Sequence, residues 1–217
     1  MILVLLGPPG SGKGTLAKLL SAELNIPHVS TGDILREEAK LGTFLGKKVK
    51  LFMEKGELVP DKIILEMMTE RIRKSDCQKG FLLDGFPRTM PQALGLDDML
   101  ESSTKSIDLV LKFDVSDDCV LKRSGGRLIC SGCEADFNLY TKPPQKDRIC
   151  DFCGSQLYQR PDDAQEVILN RLKVYKEQTI PIEEYYNKQG KLRKVEGELD
   201  PDSILKNVLN ILQSKNK

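Results

Sequence analysis

The chain has 217 residues, with 33 Lys and Arg against 32 Asp and Glu and a net charge of +1. Nucleic-acid binders take much of their affinity from a basic excess and stacking aromatics; here the charges balance, aromatics are 6% and Trp is absent, so no nucleic-acid partner is expected. No run reaches the ~18 apolar residues of a membrane span, and 40% apolar with 30% charged residues suits a soluble globular chain.

Residues 2–6 are apolar, lack a basic leader and run into a glycine loop. They read as a buried first strand rather than a signal peptide, so a cytoplasmic location is expected. A helical period follows over 13–24. Residues 30–59 carry two short amphipathic helices, 32–39 and 45–54, with no strand. Helix 61–73, strand 81–83, helix 91–101 and strand 109–115 come next. Residues 127–163 hold four cysteines and Pro143-Pro144 with little helical pattern. A long helix over 162–186 is expected to break or kink at Pro181, followed by a weaker strand at 192–195 and a helix at 201–212. Strand–helix alternation implies an α/β fold, a mainly parallel sheet with helices on both faces. The core would comprise 1–29, 60–126 and 164–217, with 30–59 and 127–163 as insertions on its rim.

The strongest signal follows the first strand: Gly7-Pro8-Pro9-Gly10-Ser11-Gly12-Lys13-Gly14-Thr15, then a helix. Glycines let backbone N–H groups turn around an anion, the helix N-terminus adds partial positive charge, and Lys13 supplies a cation for β and γ phosphates. A bland glycine turn is the alternative; Lys13 in register argues against it. The usual pattern has Ser or Thr directly after the lysine to bind Mg²⁺, whereas here Gly14 intervenes before Thr15. The metal would then be held through water or by the nucleotide, with Asp84 at the end of its strand as second anchor. A helix or turn cap is the other reading of Asp84.

Two further blocks are Ser30-Thr31-Gly32-Asp33-Ile34-Leu35-Arg36 and Asp84-Gly85-Phe86-Pro87-Arg88, with Gln92 four residues on. With the Gly-Lys-Gly-Thr loop, and over essentially the whole chain, they closely resemble the adenylate kinase family. That resemblance implies a P-loop NTPase-type core, an AMP-binding insertion (30–59) and a lid (127–163), with reversible transfer from MgATP to AMP giving two ADP. Carried over by position, Gly10, Ser11, Gly12, Lys13, Gly14, Thr15, Arg123, Arg127, Asp136, Phe137 and Leu199 would bind ATP, Leu199 through its backbone. Thr31, Arg36, Glu57, Leu58, Val59, Gly85, Phe86, Pro87, Arg88, Gln92, Arg160 and Arg171 would bind AMP. Lys13, Arg88, Arg123, Arg160 and Arg171 would be catalytic. Phe137 stands where relatives often carry Tyr. Six of the ten arginines fall in these motifs, and planar guanidinium forks suit phosphate oxygens. Any one of them alone could equally be a salt-bridge partner.

Acid–base machinery is scarce: the only histidine, His28 beside Val29 at a strand end, reads as structural. Transfer to an already ionised phosphate needs no base, only alignment and charge neutralisation. Hinged insertions closing over both substrates would exclude water.

Cys130-Ser-Gly-Cys133 and Cys150-Asp-Phe-Cys153 are separated by sixteen residues, a zinc-ribbon spacing. Four thiolates would close the site, making Zn²⁺ structural; the resemblance agrees, since many bacterial adenylate kinases carry a metal in this lid. Iron and cobalt fit the same spacing. Disulfides are disfavoured in the cytosol, and C-x₂-C pairs are unusual for inert thiols. Cys77 and Cys119 fall outside the pattern. No heptad or large apolar stripe suggests assembly, so a monomer is expected. The nearest rival is a kinase for CMP, UMP or GMP; a more distant one is a zinc-ribbon interaction module with a regulatory P-loop.

Overall fold

β1 (Ile2–Leu6) is buried along its whole length, as a strand covered on both faces must be. The computed structural model, which describes residues 1–215, shows why: alternate side chains feed two different cores. Ile2, Val4 and Leu6 join Ile64, Met68, Ala93, Leu96, Ile182 and Tyr186, while Leu3 and Leu5 join Leu16, Leu20, Ile204 and Val208. The first set comes from α4 (Asp61–Ile72), α5 (Met90–Glu101) and α8 (Ile180–Lys188), the second from α1 (Lys13–Leu24) and α9 (Pro201–Lys215). Each such side chain contributes roughly 1.5–3 kcal/mol when fully buried, so this strand anchors the molecule.

β1 lies between β3 (Phe81–Asp84) and β4 (Leu109–Asp114), with β2 (His28–Ser30) and β8 (Leu192–Glu196) at the edges. Pairing is parallel throughout. Register puts Asp84 opposite Leu5 on one side and Ser30 on the other, which brings it to the carboxyl edge where β1 runs into the glycine loop. In open α/β sheets that edge is where ligands bind.

The segment expected to lack a strand begins with the last residue of β2, Ser30, whose hydroxyl caps α2 (Thr31–Lys40) through the Asp33 N–H. Thr43 caps α3 (Phe44–Lys55) in the same way. α6 (Asp117–Gly125), capped by Ser116, has no counterpart in the sequence reading. The expected long helix is three pieces: α7 (Gln165–Val174), a π-helical turn Tyr175–Thr179, and α8. Pro181 opens α8, where a missing N–H costs nothing, and the discontinuity falls in the π turn before it. The cysteine-bearing segment forms a second, antiparallel sheet of β5 (Arg127–Cys130), β6 (Asp136–Asn138) and β7 (Leu157–Tyr158), in the order β6–β5–β7. Its own core is only Leu128, Cys130, Phe137, Cys150 and Leu157. No helix among the described residues is long and apolar enough to cross a membrane.

Candidate functional site

Between β1 and α1 the loop curls back on itself, and Lys13 Nζ donates to the carbonyls of Gly7 and Pro8, both at 2.7 Å, and to Ser11 Oγ at 3.0 Å. Burial pulls the Lys13 ammonium down to about 7, a fall that Arg88, Arg171 and Arg127 reinforce and Asp84 opposes. Asp84 sits across the loop: a Cβ on Gly14 would lie 3.4 Å from its Oδ2. Burial alone would push the Asp84 carboxyl up, but the His28 hydrogen bond and the charges of Lys13, His28 and Arg88 more than reverse this and hold it below the usual range. It is therefore an anion held ready beside the loop. His28 Nε2 lies 3.3 Å from Asp84 Oδ2, so the histidine read as structural is the group that orients this carboxylate.

A pocket of about 590 Å³, part of it open to solvent, reaches Gly85, the residue after Asp84, and includes Arg88 and Arg171, whose charges act on Lys13. It is lined by Thr31, Arg36, Glu57, Leu58, Val59, Gly85, Arg88, Gln92 and Arg171, nine of the residues assigned to AMP. Arg88 Nε donates to the Gly85 carbonyl at 2.9 Å, which leaves its two amino groups free to fork onto an anion. Gly85 takes a φ of +82°, and a Cβ there would approach Arg88 Nη2 to 3.0 Å, so a side chain at 85 would be strained and crowd that fork. The Arg88 backbone is fixed in turn: its N–H donates to Gln92 Oε1 at 2.8 Å, and its carbonyl accepts from Thr179 Oγ1 at 2.9 Å. Gln92 Nε2 donates to Asp61 Oδ1 at 2.8 Å, so Gln92 positions the arginine as well as lining the pocket.

Burial pulls Arg88 down to about 10, with the Arg171 charge adding to the fall. Arg160 and Arg171 are likewise lowered, first by burial and then by other arginines, Arg36 and Arg127 among them. The cations are thus packed closely enough to repel one another, an arrangement that a polyanion relieves.

The expected ATP side is spread more widely. Arg123 Nη1 donates to the Gly197 carbonyl at 2.6 Å and Nη2 to the Glu198 carbonyl at 3.2 Å, next to Leu199, which is exposed. Arg127 Nη1 lies 3.7 Å from Asp163 Oδ1. Asp136 pairs with Lys18 on α1. The Phe137 ring is turned into the small core of the second sheet, and the residue is buried there. Phe86 is fully buried in the main core, and the Phe86–Pro87 peptide is cis.

A family model for adenylate kinase matches residues 5–191. The chain is 51% identical over 208 residues to the adenylate kinase of Methanocella arvoryzae, covering 96% of each chain. It is 50% identical over 213 residues to that of Thermosipho africanus, covering 98% of this chain and all of the relative. A third adenylate kinase, from Archaeoglobus fulgidus, is 48% identical over 213 residues, 98% of each. The chain is a member of the adenylate kinase family.

In this adenylate kinase family member the four cysteines converge as their spacing predicts. Their sulfurs all lie within 4.8 Å of one another, with Cys130 and Cys153 Sγ 3.3 Å apart and Cys133 and Cys150 Sγ 3.6 Å apart. A tetrahedral ion with ~2.3 Å bonds to sulfur sets its ligands about 3.8 Å apart, so the cluster fits a metal. The N–H groups of Gly132 and Cys133 point at Cys130 Sγ at 3.3 and 3.4 Å, and such donors favour the thiolate a metal needs. Cys77 is buried and Cys119 partly so, and neither belongs to the cluster.

Sequence reasoning missed several residues here. Asp162 binds Arg171 Nη1 at 3.0 Å and lines the pocket. Asp163 has both oxygens buried without a hydrogen bond among the described residues, and burial pushes its carboxyl up despite Arg127. In Arg160-Pro-Asp-Asp163 the carboxylate pair next to an arginine is itself a signal that these two residues belong to the site. Asp61 gave no signal, because its partners Thr89 and Gln92 are fixed by tertiary packing.

Proposed function

We propose that this enzyme transfers the terminal phosphoryl group of ATP to AMP, yielding two ADP, with the triphosphate on the loop at residues 7–15 and the monophosphate in the arginine-lined pocket. The observation that carries this reading is the convergence of Arg36, Arg88 and Arg171 on one pocket beside Lys13. A phosphate oxygen of AMP attacks the γ-phosphorus, and the bond to the β–γ bridging oxygen breaks, releasing ADP. That nucleophile is already ionised, so no side chain has to take a proton. The chain's task is to align two polyanions and offset their repulsion. Lys13 would leave its loop carbonyls for the β and γ phosphates, Arg88 and Arg36 would hold the AMP phosphate, and Arg123, Arg127, Arg160 and Arg171 would gather on the group in transit. Mg²⁺ would travel with ATP and neutralise charge on the phosphates, and Asp84 would accept from its water shell.

Residues 30–59 and 127–163 are the segments we expect to move as units over the core. Lys40 on α2 and Glu134 in the cysteine segment lie 3.3 Å apart, which supports closure of the two toward each other. We assign zinc to the cysteines: four thiolates leave no open position, so the ion would cross-link a sheet whose core is five residues. Such thiols suit a reducing compartment, in line with a cytoplasmic monomer acting on free nucleotides. Turnover of AMP, CMP, UMP and GMP under excess MgATP tests the acceptor. AMP should exceed the others at least about tenfold, the factor that ~1.4 kcal/mol of differential binding gives; equal use of CMP or UMP would overturn the assignment.

A further inference from the structure

A buried hydroxyl on α6 faces the phosphate loop without a partner. Ser124 is 1% exposed, and its Oγ makes no hydrogen bond to any described residue. The usual outlet for a helical serine is the carbonyl one turn back, here that of Val120, and Ser124 does not take it. A hydroxyl left so destabilises the fold, and an alanine would have avoided the cost. The loop side of the contact is equally specific. A Cβ on Gly10, whose φ is +73°, would fall 2.1 Å from Ser124 Oγ, so the hydroxyl rests directly on Gly10.

The neighbours of Ser124 tie three parts of the molecule together. Arg123 reaches the Gly197 carbonyl at 2.6 Å and lies 3.5 Å from that of Ser11. The Arg123 carbonyl accepts from Asn138 Nδ2 at 2.8 Å, and the Gly125 carbonyl from Gln159 Nε2 at 3.0 Å. Asn138 and Gln159 both belong to the cysteine-bearing segment. Ser124 therefore sits where the phosphate loop meets the start of that segment.

We propose that Ser124 is a positioning residue for the triphosphate, whose hydroxyl bonds the phosphate-loop backbone at Gly10 once bound phosphates draw the loop amides inward. This rests on the loop being the ATP site. Nucleotide supplies the missing partner by moving the loop, so binding at the loop and the setting of Arg123 and Arg127 are coupled through one contact. The cost carried by the free protein is the counterpart of that gain.

Ser124→Ala and Ser124→Cys test it, with melting temperatures measured with and without MgATP, and with KM and kcat for each substrate. Ser124→Ala should melt higher than the parent without nucleotide, because an unpartnered hydroxyl is gone. It should gain less from MgATP, and its KM for MgATP should rise about fivefold, the factor equivalent to one ~1 kcal/mol hydrogen bond. The KM for AMP should stay unchanged, and kcat should change less than the MgATP KM. Ser124→Cys, a weak donor of similar shape, should fall between. An unchanged MgATP KM in Ser124→Ala, or an equal rise for both substrates, overturns the role. Lys13→Ala run alongside separates the two claims: if it loses MgATP binding while Ser124→Ala does not, only the Ser124 role fails.

Discussion

The glycine loop at residues 7–15 and the cysteine cluster solve the same problem, fixing several polar groups at one point, by opposite means. The loop is held by the large core: β1 is buried on both faces, α1 packs through Leu16 and Leu20, and Phe113 closes against Gly7. Its charged groups are chiefly lysine and arginine, gathered against their own repulsion with Asp84 as the opposing anion. The cysteine segment has a core of five buried residues, too little apolar area to fold a sheet of that size alone. Its polar groups are thiols that would gain from meeting at one ion. In the first region packing carries the electrostatics, and in the second the electrostatics carry the packing. Loss of a charge should therefore cost catalysis in one and stability in the other.

The largest effect that would sharpen this contrast is on turnover. Arg88→Ala should lower kcat/KM on the order of 10³-fold or more while shifting the melting temperature little, since the hydrogen bond lost to the Gly85 carbonyl is offset by removing a buried cation that Arg171 repels. A comparable loss of stability would break the distinction. Removing metal with a chelator should do the reverse. The melting temperature should fall by about 5–10 °C, the shift that ~2–3 kcal/mol gives in a chain of this size, with most activity kept at 25 °C. An unchanged melting curve would contradict the structural role proposed for an ion there.

The smallest effect concerns protons. Lys13 sits near 7 in the free protein because burial disfavours its charge, and bound phosphates should raise it again. MgATP binding at pH 8 should then take up close to one proton, and at pH 6, where Lys13 is already charged, almost none. Calorimetry in buffers of different ionisation enthalpy reads this directly. As pH rises through 7, MgATP affinity should weaken by up to about tenfold per unit. Equal proton uptake at both pH values would mean that Lys13 is not the group being recharged.

How much of this could be read beforehand depends on whether the relevant groups are neighbours in sequence. The loop at 7–15, the block at 84–88 and the cysteine pairs are contiguous, so local chemistry announced them, and 3.6-residue periodicity gave α1 and α4 to within a residue. What escaped is set by register and packing. His28 meets Asp84 only because β2 pairs with β3. Asp61 supports Arg88 only through Gln92. α6 follows β4 after a short turn, and its polar composition hid its period, although Ser116 was a legible cap. The three short strands around the cysteines have too few residues to show alternation.

Fixed cations should bring two polyanions end to end so that direct transfer outruns hydrolysis. ADP formation from MgATP with and without AMP, for the parent protein and for Lys13→Ala, measures this. The parent should form two ADP for each AMP consumed and almost none without AMP, and Lys13→Ala should lose activity on the order of 10²–10³-fold. ADP released at the same rate without AMP, or undiminished turnover in Lys13→Ala, would contradict it.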